Sequence, residues 1–376
     1  MAAQPPIWLI LIAFICAIGP LVFVHELGHY LVARWFGVGA EVFSIGFGRE
    51  IFGWHDRRGT RWKVGWLPLG GYVRFVGDAD VASTGSSKAE IAPELRGHVF
   101  NTRPVGQRFL IVLAGPMANF LMAILIFATF FATFGMPHST NVVDHVMPGS
   151  PAQQAGIRAG DRIESIAGLE TPTFEALRNV VMLRAGAVVT IRIERGEQPL
   201  VLQSRIGSQV IRDEFGQAHR IGLLGIPPPK LTLERPTALE LIPKTVAFTF
   251  SMVRTMIDGI VQIVNGHISP KELGGPLKIA QIAGQQASLG LFDFVALLAM
   301  LSINLGFINL LPVPMLDGGH LAFYTIEAVR RRPVDERAQE WAFRGGLAAL
   351  LALLVFVTFN DLSSFGLWER LGRLIG

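Results

Sequence analysis

The chain has 376 residues, of which 51 % are hydrophobic and only 16 % charged, with 26 Phe and a formal net charge of +4. A charged fraction well below the roughly 25 % of a soluble globular chain makes a polytopic membrane protein the first class to consider. The small net charge gives no support to a nucleic-acid partner. The single cysteine, Cys16 in an apolar stretch, excludes an intrachain disulfide and a cysteine-based zinc site.

The first six residues carry no basic side chain, so the first hydrophobic segment is expected to be retained rather than removed as a signal peptide. Ile7 to Val24 is uncharged and, as a helix, long enough to cross about 30 Å of hydrocarbon. The helical pattern continues to about Phe36, with Pro20 placed to kink it one turn before Val24-His25-Glu26-Leu27-Gly28-His29-Tyr30. This stretch reads His-Glu-x-x-His. On a helix, His25 and His29 project from one face a turn apart, where two imidazoles can share a tetrahedral Zn²⁺. Glu26 then lies beside the metal, where a carboxylate can take a proton from a water. Two imidazoles and a carboxylate in or beside hydrocarbon are costly, which favours a functional reading over a structural hydrogen-bonded cluster.

Residues 34–108 form a polar loop with eleven Lys and Arg. Its Gly-rich alternating stretches, 41–48 and 62–76, predict short strands and hairpins, and residues 78–98 read as a flexible surface insertion. Phe109 to Phe134 is a second uncharged run, interrupted by Gly115-Pro116. Asn119 near its middle fits an interhelical hydrogen bond and a role at the site equally well. From about Asn141 to Ile226 the composition becomes soluble, with a strand over Val188 to Glu194 and a helix near Phe174 to Arg184. Met147 to Gly168 closely resembles the signature of PDZ domains in bacterial proteases, which bind extended peptides by strand addition.

Pro227-Pro228-Pro229 ends that domain. Pro236 to Gly266 has apolar residues at helical spacing interrupted by Glu240, Lys244, Arg254 and Asp258, a pattern expected of a helix lying at the membrane interface rather than a fifth span. Ser269 to Gly290 is expected to be a hinge or re-entrant loop. Phe294 to Leu316 is a third uncharged run, holding Asn304, Asn309, Pro312 and Pro314 and ending in Asp317-Gly318-Gly319-His320. Interhelical bonding is the plain alternative for both asparagines. Gly345 to Asn360 is a fourth span, with Trp341 and Trp368 as interfacial anchors.

Counting four spans, the first and third run in the same direction, which brings Asp317 to the depth of His25 and His29. Zinc catalysis needs a third protein ligand and an open position. Asp317 is the candidate, against the plainer reading of a helix-ending Asp before Gly-Gly. His320 is more often a capping or supporting group than a ligand. The loop's basic residues and Arg330, Arg331, Arg332, Arg337 and Arg344 put both termini and the PDZ-like domain outside and the site toward the cytoplasm.

Together these residues resemble the site-2 protease family of intramembrane zinc metalloproteases, of the bacterial regulator-of-sigma-E type. The resemblance rests on His25-Glu26-Leu27-Gly28-His29, Gly-Pro-Met-Ala-Asn at 115–119, the PDZ signature and Asn309 through His320. It implies that His25, His29 and Asp317 bind Zn²⁺, that Glu26 is the general base and that Asn304 and Asn309 help hold substrate. The Gly-rich strands, with Gly70, Gly71 and Tyr72, match the family's membrane-associated β elements that present an extended substrate. The implied architecture is a polytopic α-helical protein of four transmembrane helices with a membrane-associated β-hairpin region and one α+β PDZ-like domain. Residues 1–137 hold the first two spans and the β loop, 138–228 the PDZ-like domain, 229–290 the interfacial helix and hinge, and 291–376 the last two spans. The implied substrates are single-span membrane proteins such as anti-sigma factors, already cut by a site-1-type protease, in the bacterial inner membrane. Close relatives often carry two tandem PDZ domains, and this chain has room for one. A membrane PDZ adaptor with a structural metal, and a zinc transporter, are the competing readings. The first lacks a fourth protein ligand, and the second lacks ionisable residues in the second and fourth spans.

Overall fold

The computed structural model describes residues 5–77, 98–138, 141–182, 184–212, 218–228, 232–265, 270 and 274–364. They form two units, Met1–Thr129 together with Ala238–Gly376, and Phe130–Thr237. The expected insertion at 78–98 and the anchor Trp368 lie outside the described residues, except for His98.

Helix α1 (Ile7–Trp35) runs unbroken through Pro20. Its buried stripe is Ala13, Ala17, Leu21, His25 and His29, a spacing of four throughout. Apolar Ile7, Trp8, Leu11, Ile12 and Ile15 stay exposed, as a lipid-facing surface requires. The expected short hairpins are two long strands, β1 (Ala40–His55) and β2 (Arg61–Phe75), each bent on itself. Phe43 pairs with both Val73 and Trp62, and Trp62 also pairs with Trp54. Four antiparallel segments result, in the order 71–75, 40–45, 61–65, 50–55. Gly46 makes the bend in β1 at φ +87°, where a Cβ would meet the Leu67 carbonyl oxygen at 2.8 Å. Phe43, Val73 and Phe75 of this sheet pack with Tyr30, Ala33 and Ile111 in one apolar core. Helix α2 (Val105–Phe134) continues through Pro116 and lies antiparallel to α1.

The second unit contains β3 (Met136–His138), α3 (Pro151–Gln154), β4 (Arg162–Ile166), β5 (Leu169–Glu170), α4 (Phe174–Met182), β6 (Val188–Arg195), β7 (Gln198–Arg205), β8 (Gly207–Arg212), β9 (Ala218–Leu223) and β10 (Thr232–Glu234). Strands β5-β4-β6-β7 form one sheet, while β8 pairs with β9 and β10 with β3. The alternating inward residues Val189, Ile191 and Ile193 of β6 join Ile163, Ile166, Leu177 and Val181 in its core. Within the Gly-x-x-x-Gly-Asp turn, Gly156 and Gly160 sit at φ +82° and +89°, and Asp161 is buried. Arg195 grips that carboxylate with both Nε and Nη2, at 2.7 and 2.8 Å. Burial alone would raise the Asp161 pKa, but the Arg195 fork and the Arg158 backbone N–H outweigh it and hold the group below the usual carboxylate range.

Five helices follow: α5 (Ala238–Val264), α6 (Pro276–Leu289), α7 (Leu291–Leu310), α8 (Asp317–Arg330) and α9 (Glu336–Ser364). Among the described residues α1, α2, α5, α7 and α9 are long and apolar enough to cross a membrane, one more than the four expected. The segment expected to be a hinge or loop contains α6, whose Ala283 packs on Ala13 and Ala17. The third apolar run is not one helix either. Helix α7 stops at Leu310, residues 311–316 turn around Pro312 and Pro314 with Met315 at φ +81°, and Asp317 opens α8. Gly319 permits that turn, because a Cβ there would meet the Val313 carbonyl at 2.6 Å and Pro314 Cα at 2.8 Å.

Candidate metal centre

The turn at 311–316 delivers Asp317 to the buried stripe of α1. Its Oδ2 lies 3.1 Å from His25 Nε2 and 3.4 Å from His29 Nε2, and the two imidazole nitrogens are 3.2 Å apart. Both histidines are only 8 % exposed. Ligands held at zinc's bond length of about 2.0–2.1 Å at tetrahedral corners are separated by about 3.3 Å, so the triangle has the dimensions of one face of a zinc tetrahedron. The chemistry of the donors agrees. His29 Nδ1 is 2.9 Å from the Ile111 carbonyl oxygen, which can only accept, so Nδ1 carries the proton and Nε2 a lone pair. Asp317 Oδ2 is buried and takes no hydrogen bond. Electron pairs converging on one point in a low-dielectric setting call for a cation, and three N/O ligands leave a fourth position open.

Glu26 occupies the space between this triangle and β2. Its carboxylate lies near both histidines, Asp317 and the backbone of Val73. Gly71 sits so close that a Cβ there would lie 3.1 Å from Glu26 Cγ and 2.7 Å from Val22 Cγ1. The segment 71–75 is hydrogen-bonded to 40–45 on one side, leaving its other edge toward α1. Of the predicted substrate residues, Gly70 adopts φ +129° with the Phe47 ring against it, and the Tyr72 ring stacks on Phe47 at 6.1 Å.

Helix α2 supplies the opposite wall with the same spacing of four that α1 uses. Ile111 and Gly115 face His29, and Asn119 faces His25 at 3.1 Å between Nδ2 and Nδ1. A Cβ at Gly115 would land on the His29 imidazole, and a Cβ at Gly28 on the Ala114 carbonyl oxygen. The sequence left Asn119 open between two readings, and the structure puts it against a predicted ligand. Its signal was there to be read: Gly115 and Asn119 are spaced as His29 and His25 are, on a helix running the other way.

Asn304 and Asn309 do not hydrogen-bond to His25, Glu26, His29 or Asp317. Asn309 donates to the Leu305 carbonyl oxygen of its own helix at 3.0 Å, and Asn304 is half-buried on α7. His320 lies outside the triangle, its ring 4.9 Å from that of Phe343.

A family profile described as Peptidase family M50 matches residues 13–353 of the chain. The chain belongs to that family. As an M50 peptidase it is a metalloendopeptidase, and the match spans the triangle, Glu26 and the second unit alike. A protein of Agrobacterium fabrum named "Putative zinc metalloprotease" is 42 % identical over 361 residues, 94 % of this chain and 96 % of that one. A relative of Rhizobium meliloti with the same descriptive name is 43 % identical over 349 residues, covering 91 % and 93 %. Metalloprotease MmpA of Caulobacter vibrioides is 34 % identical over 391 residues, covering 97 % and 98 %. Among solved structures, the PDZ domain of an SdrC-like protein of Listeria monocytogenes is 18 % identical, with a TM-score of 0.18, covering 28 % of this chain and 96 % of that one.

Proposed function

We propose that this M50 peptidase is an intramembrane zinc metalloprotease that cuts the transmembrane segment of single-span proteins, anti-sigma factors among them, after a site-1-type protease has shortened their outer part. The observation that carries the reading is the three-atom triangle of His25, His29 and Asp317 with Glu26 between it and segment 71–75. His25, His29 and Asp317 would hold Zn²⁺, which when bound supplies Lewis-acid polarisation of a scissile carbonyl and lowers the pKa of a water. A transmembrane helix hides its backbone hydrogen bonds, so the scissile segment unwinds first. Segment 71–75, with Gly70, Gly71 and Tyr72, pairs with the unwound strand, and Gly71 keeps the approach to Glu26 clear of side chains. Asn304 and Asn309 take up further freed backbone groups. Glu26 accepts a proton from the attacking water and returns it to the leaving amine.

The chain would sit in a bacterial inner membrane with four crossings, both termini and the PDZ-like domain outside and the site toward the cytoplasm. The support is the distribution of Lys and Arg, eleven in residues 34–108 and five more from Arg330 to Arg344. The PDZ-like domain excludes substrates with bulky outer parts or holds their new C-terminus. Glu26→Gln in a reconstituted assay with a single-span substrate tests the reading. Zinc content should stay at the parent level while hydrolysis falls by at least about 100-fold; retained cleavage removes Glu26 as the base.

A further inference from the structure

Each imidazole of the triangle has its second nitrogen on α2, but the two partners differ in kind. Ile111 offers His29 a carbonyl oxygen, which fixes the proton on Nδ1. Asn119 offers His25 an amide, whose two ends differ chemically while filling nearly the same space. With Nδ2 toward His25 Nδ1, that nitrogen is the acceptor, the ring proton is on Nε2, and an N–H rather than a lone pair points at His29 Nε2 and Asp317 Oδ2. With the amide turned over, Oδ1 accepts from Nδ1–H and Nε2 has its electron pair free.

Asn119 is completely buried, and its Oδ1 has no hydrogen-bond partner, so nothing in its surroundings holds the carbonyl on the side away from His25. The backbone that carries the amide is fixed from a third helix. Ser302 of α7 donates to the Asn119 carbonyl oxygen at 2.8 Å, and Gly306, one turn on, lies where a Cβ would be 3.0 Å from the Pro116 carbonyl oxygen. Position is therefore set by α7 and α2, and only the sense of the amide is left for the histidine to choose.

We infer that Asn119 is a positioning residue that sets the tautomer of His25: Oδ1 accepts from Nδ1–H, so that Nε2 presents a lone pair beside those of His29 and Asp317. The inference rests on reading those three side chains as the zinc ligands. A metal-binding histidine donates its other N–H to an oxygen, and loss of such a partner weakens metal binding by about 10- to 100-fold. A second consequence is directional. An acceptor-only side chain at 119 should serve as well as the amide, whereas one without oxygen should not.

The experiment measures zinc affinity by chelator competition on the detergent-solubilised full chain, for the parent, Asn119→Asp and Asn119→Leu, with His25→Ala as reference. Cobalt substitution reports ligand geometry through its visible absorption. Asn119→Asp should bind zinc within about threefold of the parent with the parent's cobalt spectrum. Asn119→Leu, similar in volume, should bind about 10- to 100-fold more weakly with an altered spectrum. Equal affinity of the parent and Asn119→Leu overturns the inference, and so does an Asp variant that loses as much affinity as the Leu variant, the pattern of a packing role. If Asn119→Leu does not fold, Asn119→Ala against Asn119→Asp decides by the same comparison. A parent that binds no zinc, or a His25→Ala variant that binds it undiminished, sinks the ligand reading itself, so the two failures are told apart.

Discussion

A histidine four residues from another on a membrane helix needs room on the neighbouring helix, and Gly115 provides it. The His29 ring occupies the space a Cβ at 115 would take, so α2 approaches α1 closely enough for the Ile111 carbonyl to reach His29 Nδ1. Gly115→Ala should therefore push either the imidazole or the whole helix, an overpacking that typically costs about 1–3 kcal/mol. The expected outcome is a lowered melting temperature together with at least about tenfold weaker zinc binding, both measured on solubilised protein. Unchanged zinc affinity would mean that the ring moves without leaving its place in the triangle. The spacing of four put His25 and His29 on one helix face with Glu26 beside them, and span direction gave Asp317 their depth as an expectation. The structure brings a ligand atom of each of His25, His29 and Asp317 within 4.8 Å of the others. Asn119 stayed open between two readings, since an isolated polar residue does not name the helix it meets. Only its spacing of four from Gly115, matching that of His25 and His29, carried the signal.

At the scale of elements, the pairing of β1 with β2 controls how the 71–75 edge stands against Glu26. One carboxylate ties this sheet to α1: Asp56 accepts from Tyr30 Oη at 3.1 Å and Trp62 Nε1 at 3.2 Å, and from the Arg58 and Thr60 backbone N–H groups at 2.8 and 2.9 Å. Tyr30 is the residue after His29, so the latch acts next to the site. Desolvation would raise the Asp56 pKa, but the hydrogen bonds from Trp62, Thr60, Arg58 and Tyr30 prevail and lower it from its ordinary 3.8. A depressed folded-state pKa contributes stability that is fully present above the unfolded value and lost as pH falls through the folded one. Hydrogen exchange of amides in 61–64 and 71–75 should thus be flat from pH 7 down to about 4, after correction for intrinsic rates, and rise below. Asp56→Asn should raise it at pH 7, by roughly tenfold for one water-screened charged hydrogen bond. No change in Asp56→Asn would mean the sheet is held by its apolar face alone. The strands were legible from alternation and glycines. Their double pairing was not, because alternation tells which face a residue takes and not which strand lies beside it.

Over the whole chain, α5 meets the length and composition of a span among the described residues, whereas its sequence pattern reads as an interfacial helix. Labelling of the chain beyond α5 decides between a fifth span and an interfacial helix. Helices α1 and α2 are antiparallel, because His29 meets Gly115 while His25 meets Asn119. The end of α2 therefore lies on the face where α1 begins. Strand β3 follows α2 directly, β10 closely precedes α5, and Glu234 pairs with Met136. Asp361 near the end of α9 accepts from the Gly275 and Lys278 backbone N–H groups, each at 3.0 Å, and Gly284 packs on Ile10 near the start of α1. With α5 as an interfacial helix, the proposed four crossings put its two ends on one face, the outer one with both termini. In a Cys16→Ser background, Pro270→Cys should react with a membrane-impermeant maleimide on intact cells stripped of their outer layer, and Arg57→Cys only after the membrane is opened. Labelling of Pro270→Cys only after opening would make α5 a true fifth span. Labelling of Arg57→Cys on intact membranes would invert the orientation drawn from the basic residues and put the metal triangle toward the outer face.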